Sequence, residues 1–456
     1  MSRKVQRKLK KKYTSLFTTR IIMIGFLVGI ILGTVLLSLP ISLQEGQDIK
    51  LVDALFVAVS SICVTGLSTV NVGQTFSFFG QAVLLCLIQI GGLGVITFVA
   101  FVLITAGKRI SLSNRLLLQN AYNTDTLSGL IIMTKRIVKV TLIIEGIGAI
   151  LCSFVFVPEY GPKGIWYSIF HAVSAFCNAG IDLFGGNSLC MYRDNVLINA
   201  TTIALIIVSG LGFPVYWEIE RLIKESRLDS PIRKMSLQAK LVLITTAVLV
   251  LGGAILTLIF EWDNPDTIGT LSFPKKCMAS LFQSVTLRTA GFATIDQGYF
   301  RESSCTLYLV MMLIGGSPAG TAGGIKTVTF VIVMASMISN IKGSHHVNIL
   351  GRKVSDEYVR RCVAIAAFSL TVLIVLTIAM FFVNEGDFLD TIYEMVSAIA
   401  TVGLSRGLTG SLPAVGKIIV CMAMYLGRIG PITLALAFNY NDKSSFEYSE
   451  SKIIVG

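Results

Sequence analysis

The stretch SAIATVGLS, residues 397–405, is one of four related turns in this chain. SSICVTGLS (60–68) shares its leading Ser, its Ile, its Gly, its Leu and its closing Ser, and SAFCNAGID (174–182) and VTLRTAGFA (285–293) are looser copies. The central glycines, Gly66, Gly180, Gly291 and Gly403, lie 114, 111 and 112 residues apart. So constant a period marks a chain built from four copies of one structural unit.

The hydropathy around each turn repeats as well. In the first copy a long apolar run (21–39) precedes a short apolar piece (51–63), the turn (64–68) and a second long run (76–105). The corresponding segments are 137–157, 166–177, 178–182 and 196–219; then 237–260, 277–288, 289–292 and 306–341; then 362–383, 389–400, 401–405 and 415–438. Runs of about 20 residues, at about 1.5 Å each, cross a hydrocarbon layer about 30 Å thick. The short pieces reach only about 20 Å, so they read as re-entrant half-helices whose polar sequel returns to the side of entry. The expected fold is an all-α membrane protein, with four span/pore-helix/span repeats around a pseudo-fourfold central pore. Its divisions are a basic tail (1–19), repeat one (20–110), a connector with repeat two (111–226), repeat three (227–342), a connector with repeat four (343–442) and a tail (443–456).

Composition agrees with this class. The chain is 54% hydrophobic and 14% charged, against roughly 25% charged in soluble domains. Its net charge of +12 comes from basic clusters within residues 3–20, 108–139, 221–240 and 342–361, separated by acid-leaning segments at 45–48, 261–266 and 385–390. The positive-inside rule places the clusters and both termini in the cytoplasm, with the spans in the cell membrane. Topology therefore accounts for the charge without nucleic acid. Each repeat begins and ends inside, so all four share one orientation and surround an axis along the membrane normal, unlike inverted-repeat carriers. The nine cysteines form no C-x-x-C pair and read as small buried hydrophobes.

Irregular backbone at membrane depth persists only where protein or a water-filled cavity satisfies it. Four such turns on one axis satisfy each other through an ion. Glycine adopts φ > 0 without a Cβ clash, which turns successive carbonyls toward the axis in place of an ion's water shell. The filter residues are therefore Val64, Thr65 and Gly66; Asn178, Ala179 and Gly180; Thr289, Ala290 and Gly291; and Thr401, Val402 and Gly403. Their backbone carbonyls are the only metal-binding groups expected. The half-helices aim their carboxyl ends at the membrane centre, where the dipole favours a cation. Asp53 and Asp390 read as N-caps of two half-helices, and Asp182 as a turn residue at the outer mouth.

GGSPAGTAGGIKT (315–327) interrupts the second span of repeat three. No continuous helix carries Gly315, Gly316, Pro318, Gly320, Gly323 and Gly324 so close together. A phosphate-binding P-loop needs Gly immediately before Lys, and Ile325 intervenes before Lys326. The segment reads as an unwound loop beneath the filter and as a gate, including Ser317, Ala319, Thr321 and Ala322 with those glycines and Pro318. Lys326 closes it on the cytosolic side. Arg428, in GRIGP (427–431), is a charge within the last span that needs a partner, and loop carbonyls are the expected one. Glu145 lies mid-span in repeat two. Arg288, just before the third filter turn, is expected to contact half-helix carbonyls or an acid. His171 reads as packing, and His345 and His346 have no visible metal partners.

These residues resemble the Trk/Ktr/HKT potassium transporter superfamily across nearly the whole chain: four filter turns, GGSPAGTAGGIKT and GRIGP. The Ktr membrane-subunit (KtrB-type) branch fits best, because TrkH-type chains carry an additional pair of spans before the first repeat. The resemblance implies a potassium-selective pore, a homodimer, and a cytosolic nucleotide-binding regulatory ring of KtrA type that opens the gate, carrying ATP, ADP or a dinucleotide itself. It implies K+ as transported ion, Na+ as a stimulating ion, and no organic cofactor on this chain. It assigns the gate to 315–327 with Arg428 as companion. Sodium-conducting plant members carry Ser in the first turn, whereas this chain keeps four glycines. Ala319 stands where many relatives carry Gly, a departure that stiffens the loop. The expected function is potassium uptake, with a sodium-coupled carrier as alternative. A membrane-embedded enzyme has no convergent nucleophile, base or metal set behind it.

Overall fold

Ser77, Asn195 and Ser236 each accept a hydrogen bond from the backbone N–H three residues on, and each starts an apolar helix. That is N-cap chemistry, satisfying a donor the first turn leaves free. The structure, a computed structural model, describes residues 3–105, 130–225, 235–344, 346–384 and 386–430. Four helices open the repeats: α1 (Arg3–Leu37), α5 (Leu130–Tyr160), α9 (Leu237–Phe260) and α13 (Asp356–Phe381). All four contain an apolar window long enough to cross a membrane. The half-helices follow as α2 (Leu51–Cys63), α6 (Lys163–Cys177), α10 (Phe273–Thr286) and α14 (Phe388–Ala400). A two-stranded hairpin, β1 (Asn348–Ile349) with β2 (Arg352–Lys353), precedes α13.

The second spans differ from expectation. None of the four is one continuous helix. Repeat one has α3 (Phe78–Leu93) and α4 (Val95–Thr105), broken at Gly94; repeat two has α7 (Val196–Leu211) and α8 (Phe213–Glu225), broken at Gly212 with a 93° bend. Repeat three has α11 (Glu302–Leu313) and α12 (Thr327–Ile341) around the loop, and in repeat four α15 (Ala414–Ile429) ends at Gly430. Gly94, Gly212 and Gly430 share φ of 84°, 86° and 82° with ψ of 133°, 143° and 145°, a conformation hostile to any Cβ. Sequence reading exposed only the third break, where five glycines and a proline crowd together; the two or three glycines at 91–94, 210–212 and 427–430 sit in runs otherwise apolar enough to pass for helix.

Residues 3–19, expected as the basic tail, are helical and continuous with α1. One further expectation is corrected. Asp53 and Asp390 are not N-caps: Asp387 caps α14, while Asp53 pairs with Lys417 at 2.5 Å and Asp390 with Arg406 at 2.6 Å. The first pair ties repeat one to repeat four. Residues 106–129 and 226–234, and everything beyond 430 including the tail at 443–456, lie outside the described residues, as does His345.

Packing closes a ring. Each half-helix packs on the first span of its own repeat: α2 on α1, α6 on α5, α10 on α9, α14 on α13. Each also packs on the second span of the preceding repeat: α6 on α3, α10 on α7, α14 on α11, and α2 on α15, which completes the circle. The half-helices form the centre, with Phe56, Phe170, Phe176, Phe282 and Tyr393 fully buried, while Ile147, Ile150, Val248, Ile255 and Ile374 on the first spans remain exposed. Apolar exposure of that extent suits a lipid solvent. Away from the basic ends, Glu261 is fully buried and accepts from Asn264 (2.6 Å), Thr267 (2.8 Å), the Arg301 N–H (3.1 Å) and Ser304, which fixes the start of α11. On the same surface Lys275 reaches Asp194 at 2.6 Å and its hydrogen bond holds that carboxyl below the usual range.

Candidate ion pathway

Three half-helices run directly into a left-handed residue, in repeat three Leu287 and Arg288 intervene before it, and in all four a left-handed glycine follows that residue two positions later. Val64, Asn178, Thr289 and Thr401 have φ of 57°, 59°, 68° and 52°; Gly66, Gly180, Gly291 and Gly403 have 103°, 63°, 82° and 93°. Holding β-branched Val64, Thr289 and Thr401 in that region costs about 1–3 kcal/mol each, strain that persists where the surroundings impose it. The first residue's N–H returns to the half-helix in three repeats: Val64 to Ser61 O, Asn178 to Ala175 O and Thr401 to Ala398 O, at 3.1–3.2 Å. Among the described residues no donor reaches the carbonyls of 64–66, 178–180, 289–291 or 401–403.

These carbonyls face a common centre. A methyl on Gly66 would lie 2.6 Å from Ala179 O, one on Gly180 2.6 Å from Ala290 O, one on Gly291 2.7 Å from Val402 O, and one on Gly403 against Thr65 O. Each repeat thus leans on the next, and the fourth on the first. Side chains that sequence reading overlooked back the turns. Ser60 and Ser397 hydroxyls accept from Gly66 N (3.1 Å) and Gly403 N (3.0 Å), while Ser174 and Thr286 donate to Ile181 O (2.7 Å) and Phe292 O (2.6 Å). The leading Ser shared by three motifs was the available signal. Glu394, also missed, is buried and accepts from Ser405 (2.6 Å) and Thr409 (2.5 Å), bracing the segment after the fourth turn.

A cavity of about 440 Å³ opens on one side of the four glycines, bordered by Asp182, Asp296 and Ser405. Asp182 also accepts from Phe184 N at 3.0 Å, so it serves its own turn. On the opposite side lies a cavity of about 430 Å³, bordered by Ala319, Gly320, Gly323, Lys326 and Arg428. The 315–327 loop runs through it. Its base is a short parallel bridge, Gly315 N to Ile325 O and Ile325 N to Leu313 O, both 3.0 Å. Its tip is clasped by the break in repeat two: Ser317 N donates to Gly210 O (2.9 Å), Thr321 N to Ser209 O (3.4 Å), and Phe213 N to Ala319 O (3.3 Å). Ala319, standing where the family resemblance implies Gly, takes φ +60°. Arg428 donates to Thr321 O at 2.6 Å and to Gly91 O at 2.5 Å, and Lys326 to Ala322 O at 2.6 Å. Both cations therefore stand in the cavity wall with their donors turned to backbone carbonyls.

Loop and filter also touch. Gly323 N donates to Thr289 Oγ1 at 3.0 Å, and the Asn178 amide donates to Thr321 Oγ1 (2.9 Å) and Ser209 Oγ (3.1 Å). Each such bond contributes about 1 kcal/mol. Asn178→Ala is expected to raise resting cation leak about fivefold while leaving ion preference unchanged, read by rubidium flux into vesicles. Elsewhere, His171 packs edge-on to Phe292 (4.9 Å) and bonds Thr202 (2.9 Å). Glu145 accepts from Gln89 at 3.3 Å. Arg288 departs from expectation: it is buried, and its Nε and Nη2 find no partner among the described residues. The nine cysteines are unpaired, and no group of three metal-ligating side chains occurs among the described residues.

A ring of four pore helices between two cavities, enclosed by apolar spans, defines a multi-pass membrane protein with a pseudo-fourfold central pore. Residues 7–448 match the model of the TrkH cation transport protein family, and the chain belongs to that family. It is similar to Ktr system potassium uptake protein B of Bacillus subtilis (strain 168), 37% identical over 421 residues, which cover 92% of each chain. It is also similar to the potassium/sodium uptake protein NtpJ of Enterococcus hirae, 37% identical over 428 residues, 92% of this chain and 93% of that one. The solved potassium transporter TrkH from Vibrio parahaemolyticus superposes with a TM-score of 0.71 over 91% of this chain and 85% of the other, at 18% identity, which is a likeness of fold.

Proposed function

We propose that this chain takes up potassium across the cell membrane through the four-turn filter, with the 315–327 loop as gate and Arg428 as its latch. The observation that carries this reading is the closed ring in which each filter glycine abuts the carbonyl of the next repeat. Carbonyls without donors, facing one axis, replace a dehydrated cation's shell. An inside-negative potential of 100 mV supplies about 2.3 kcal/mol per charge, so uptake needs no chemical step. The basic ends of the first spans, and both termini, face the cytoplasm. The names of the two relatives support K+ as the ion, and that of the Enterococcus protein keeps Na+ in view as a stimulating or coupled ion. The phrase "Ktr system" supports a multi-component assembly, here a homodimer on a cytosolic nucleotide-binding ring. Transport rather than catalysis is the activity.

The test is potassium-limited growth and rubidium uptake in a bacterium stripped of its own uptake systems, with and without a co-expressed regulatory chain. Rescue is expected at micromolar to millimolar potassium. Failure under every partner condition overturns the reading, and flux with fixed sodium stoichiometry replaces the channel-like mechanism by a coupled carrier.

A further inference from the structure

The basic side of repeat two carries charges that the pore does not use. Down α5, Phe154, Ile150, Ile147 and Ile143 are exposed at three- and four-residue steps, a stripe facing lipid. The same stripe continues through exposed Lys139 and Arg136 to Ile132, which is 73% exposed. Lys139 and Arg136 therefore lie where this face leaves the acyl chains and meets headgroups.

Helix α8 meets them there. Its 93° bend from α7 turns it along the membrane plane. Val215 and Leu222 are buried against Ala239 and Val242 of α9, while Arg221, Ile223 and Lys224 are exposed. An in-plane helix with one apolar face and basic side chains beside an exposed isoleucine has the form of an interfacial membrane helix. Arg136 joins the two helices: it pairs with Glu220, which also accepts from Lys224 at 2.7 Å, and its guanidinium carbon lies 5.8 Å from the Trp217 ring centre. Glu218 is occupied by Ser236 at the start of α9. Around the corner Lys135, Arg136, Lys139 and Lys224 outnumber Glu218 and Glu220.

The other end of α8 is fastened to the loop. Phe213, its first residue, donates to Ala319 O, and Gly212 is pressed so closely on Pro318 O that a Cβ has no room. Val328, at the start of the helix leaving the loop, packs in the same apolar cluster as Val215 and Leu222. A shift of α8 therefore moves both the tip of the loop and its C-terminal end.

We propose that the α5–α8 corner binds the headgroup phosphate of an anionic phospholipid, and that the bound lipid holds α8 in the position that keeps the loop beneath the filter. Lys139 and Lys224 supply the phosphate contacts, Trp217 and Ile223 the acyl-boundary contacts, and Arg136 the bridge between helices. The coupling half rests on the gate reading above; the binding half does not.

The test uses the full chain with Trp166 and Trp262 replaced by Phe, so that Trp217 is the one indole, in vesicles containing brominated phosphatidylglycerol or brominated phosphatidylcholine. Quenching is expected to be steeper with the anionic lipid, and Lys139→Gln with Lys224→Gln to weaken that preference about fivefold for each charge removed. Both lysines are exposed, so the variant folds, and Lys139→Arg is expected to retain the preference. Equal quenching by the two lipids, or a preference untouched by the double variant, overturns the site. A preference erased by added inorganic phosphate overturns the lipid assignment in favour of a free anion. Rubidium flux in parallel is expected to fall several-fold when phosphatidylglycerol is present, and not in the double variant. A normal quenching preference with flux indifferent to lipid overturns the coupling alone. Flux that follows an added regulatory chain without any lipid preference reassigns the corner to a protein partner.

Discussion

Gly403→Ala is expected to abolish potassium-supported growth, and Gly66→Ser to lower discrimination of potassium from sodium at least tenfold. Two costs combine at each position. The backbone sits at φ +93° and +103°, where a Cβ meets its own carbonyls. The added atom also has nowhere to go: at Gly403 it runs into Thr65 O and at Gly66 it stands 2.6 Å from Ala179 O, both backbone atoms of the neighbouring filter turn. Relief requires turning that carbonyl away from the axis, which removes an ion ligand from the adjacent repeat as well. A tenfold loss corresponds to about 1.4 kcal/mol, less than one displaced carbonyl is expected to cost. Growth at graded potassium, with rubidium and sodium fluxes in vesicles, reads both outcomes. Unchanged selectivity in both variants removes these glycines from the filter.

Arg428→Gln is expected to raise resting flux by roughly a hundredfold. The guanidinium donates to Thr321 O in the loop and to Gly91 O beside the first repeat's break. Hydrogen bonds from a charged donor contribute about 1.5–3 kcal/mol each, so losing two shifts a two-state gate by about 3 kcal/mol even after partial replacement by the amide. Removing the charge also lowers the barrier to a cation in the inner cavity, where Lys326 remains. Single-channel recording or vesicle flux without any regulatory chain measures this. Lys at position 428 restores charge but not the two-pronged grip, so it is expected to stay leaky, which separates latch from electrostatic barrier. Flux unchanged by Arg428→Gln removes it from the gate.

Much of this was legible in the chain. The glycine period announced the repeats, and the length of α2, Leu51–Cys63, followed from apolar residues bounded by a turn. The breaks at Gly94, Gly212 and Gly430 were not read, because two or three glycines in an apolar run do not reveal which of them takes a positive φ. Asp53 and Asp390 looked like caps because sequence shows proximity to a helix start but not the cation across the fold; Lys417 stands 364 residues from Asp53. Asn178 was read through its carbonyl alone, since nothing local to it points to Thr321, 143 residues away.

Composition and period by themselves determined a membrane chain of four like-oriented repeats with a glycine turn in each, because hydropathy and the need for φ > 0 are properties of local sequence. Only the tertiary structure decided that each glycine abuts the carbonyl of the next repeat, that the loop is clasped by repeat two and by Arg428, and that α8 starts against its tip. Those are contacts between residues separated by one or more whole repeats, and close packing in three dimensions, not the order of residues along the chain, brings them together.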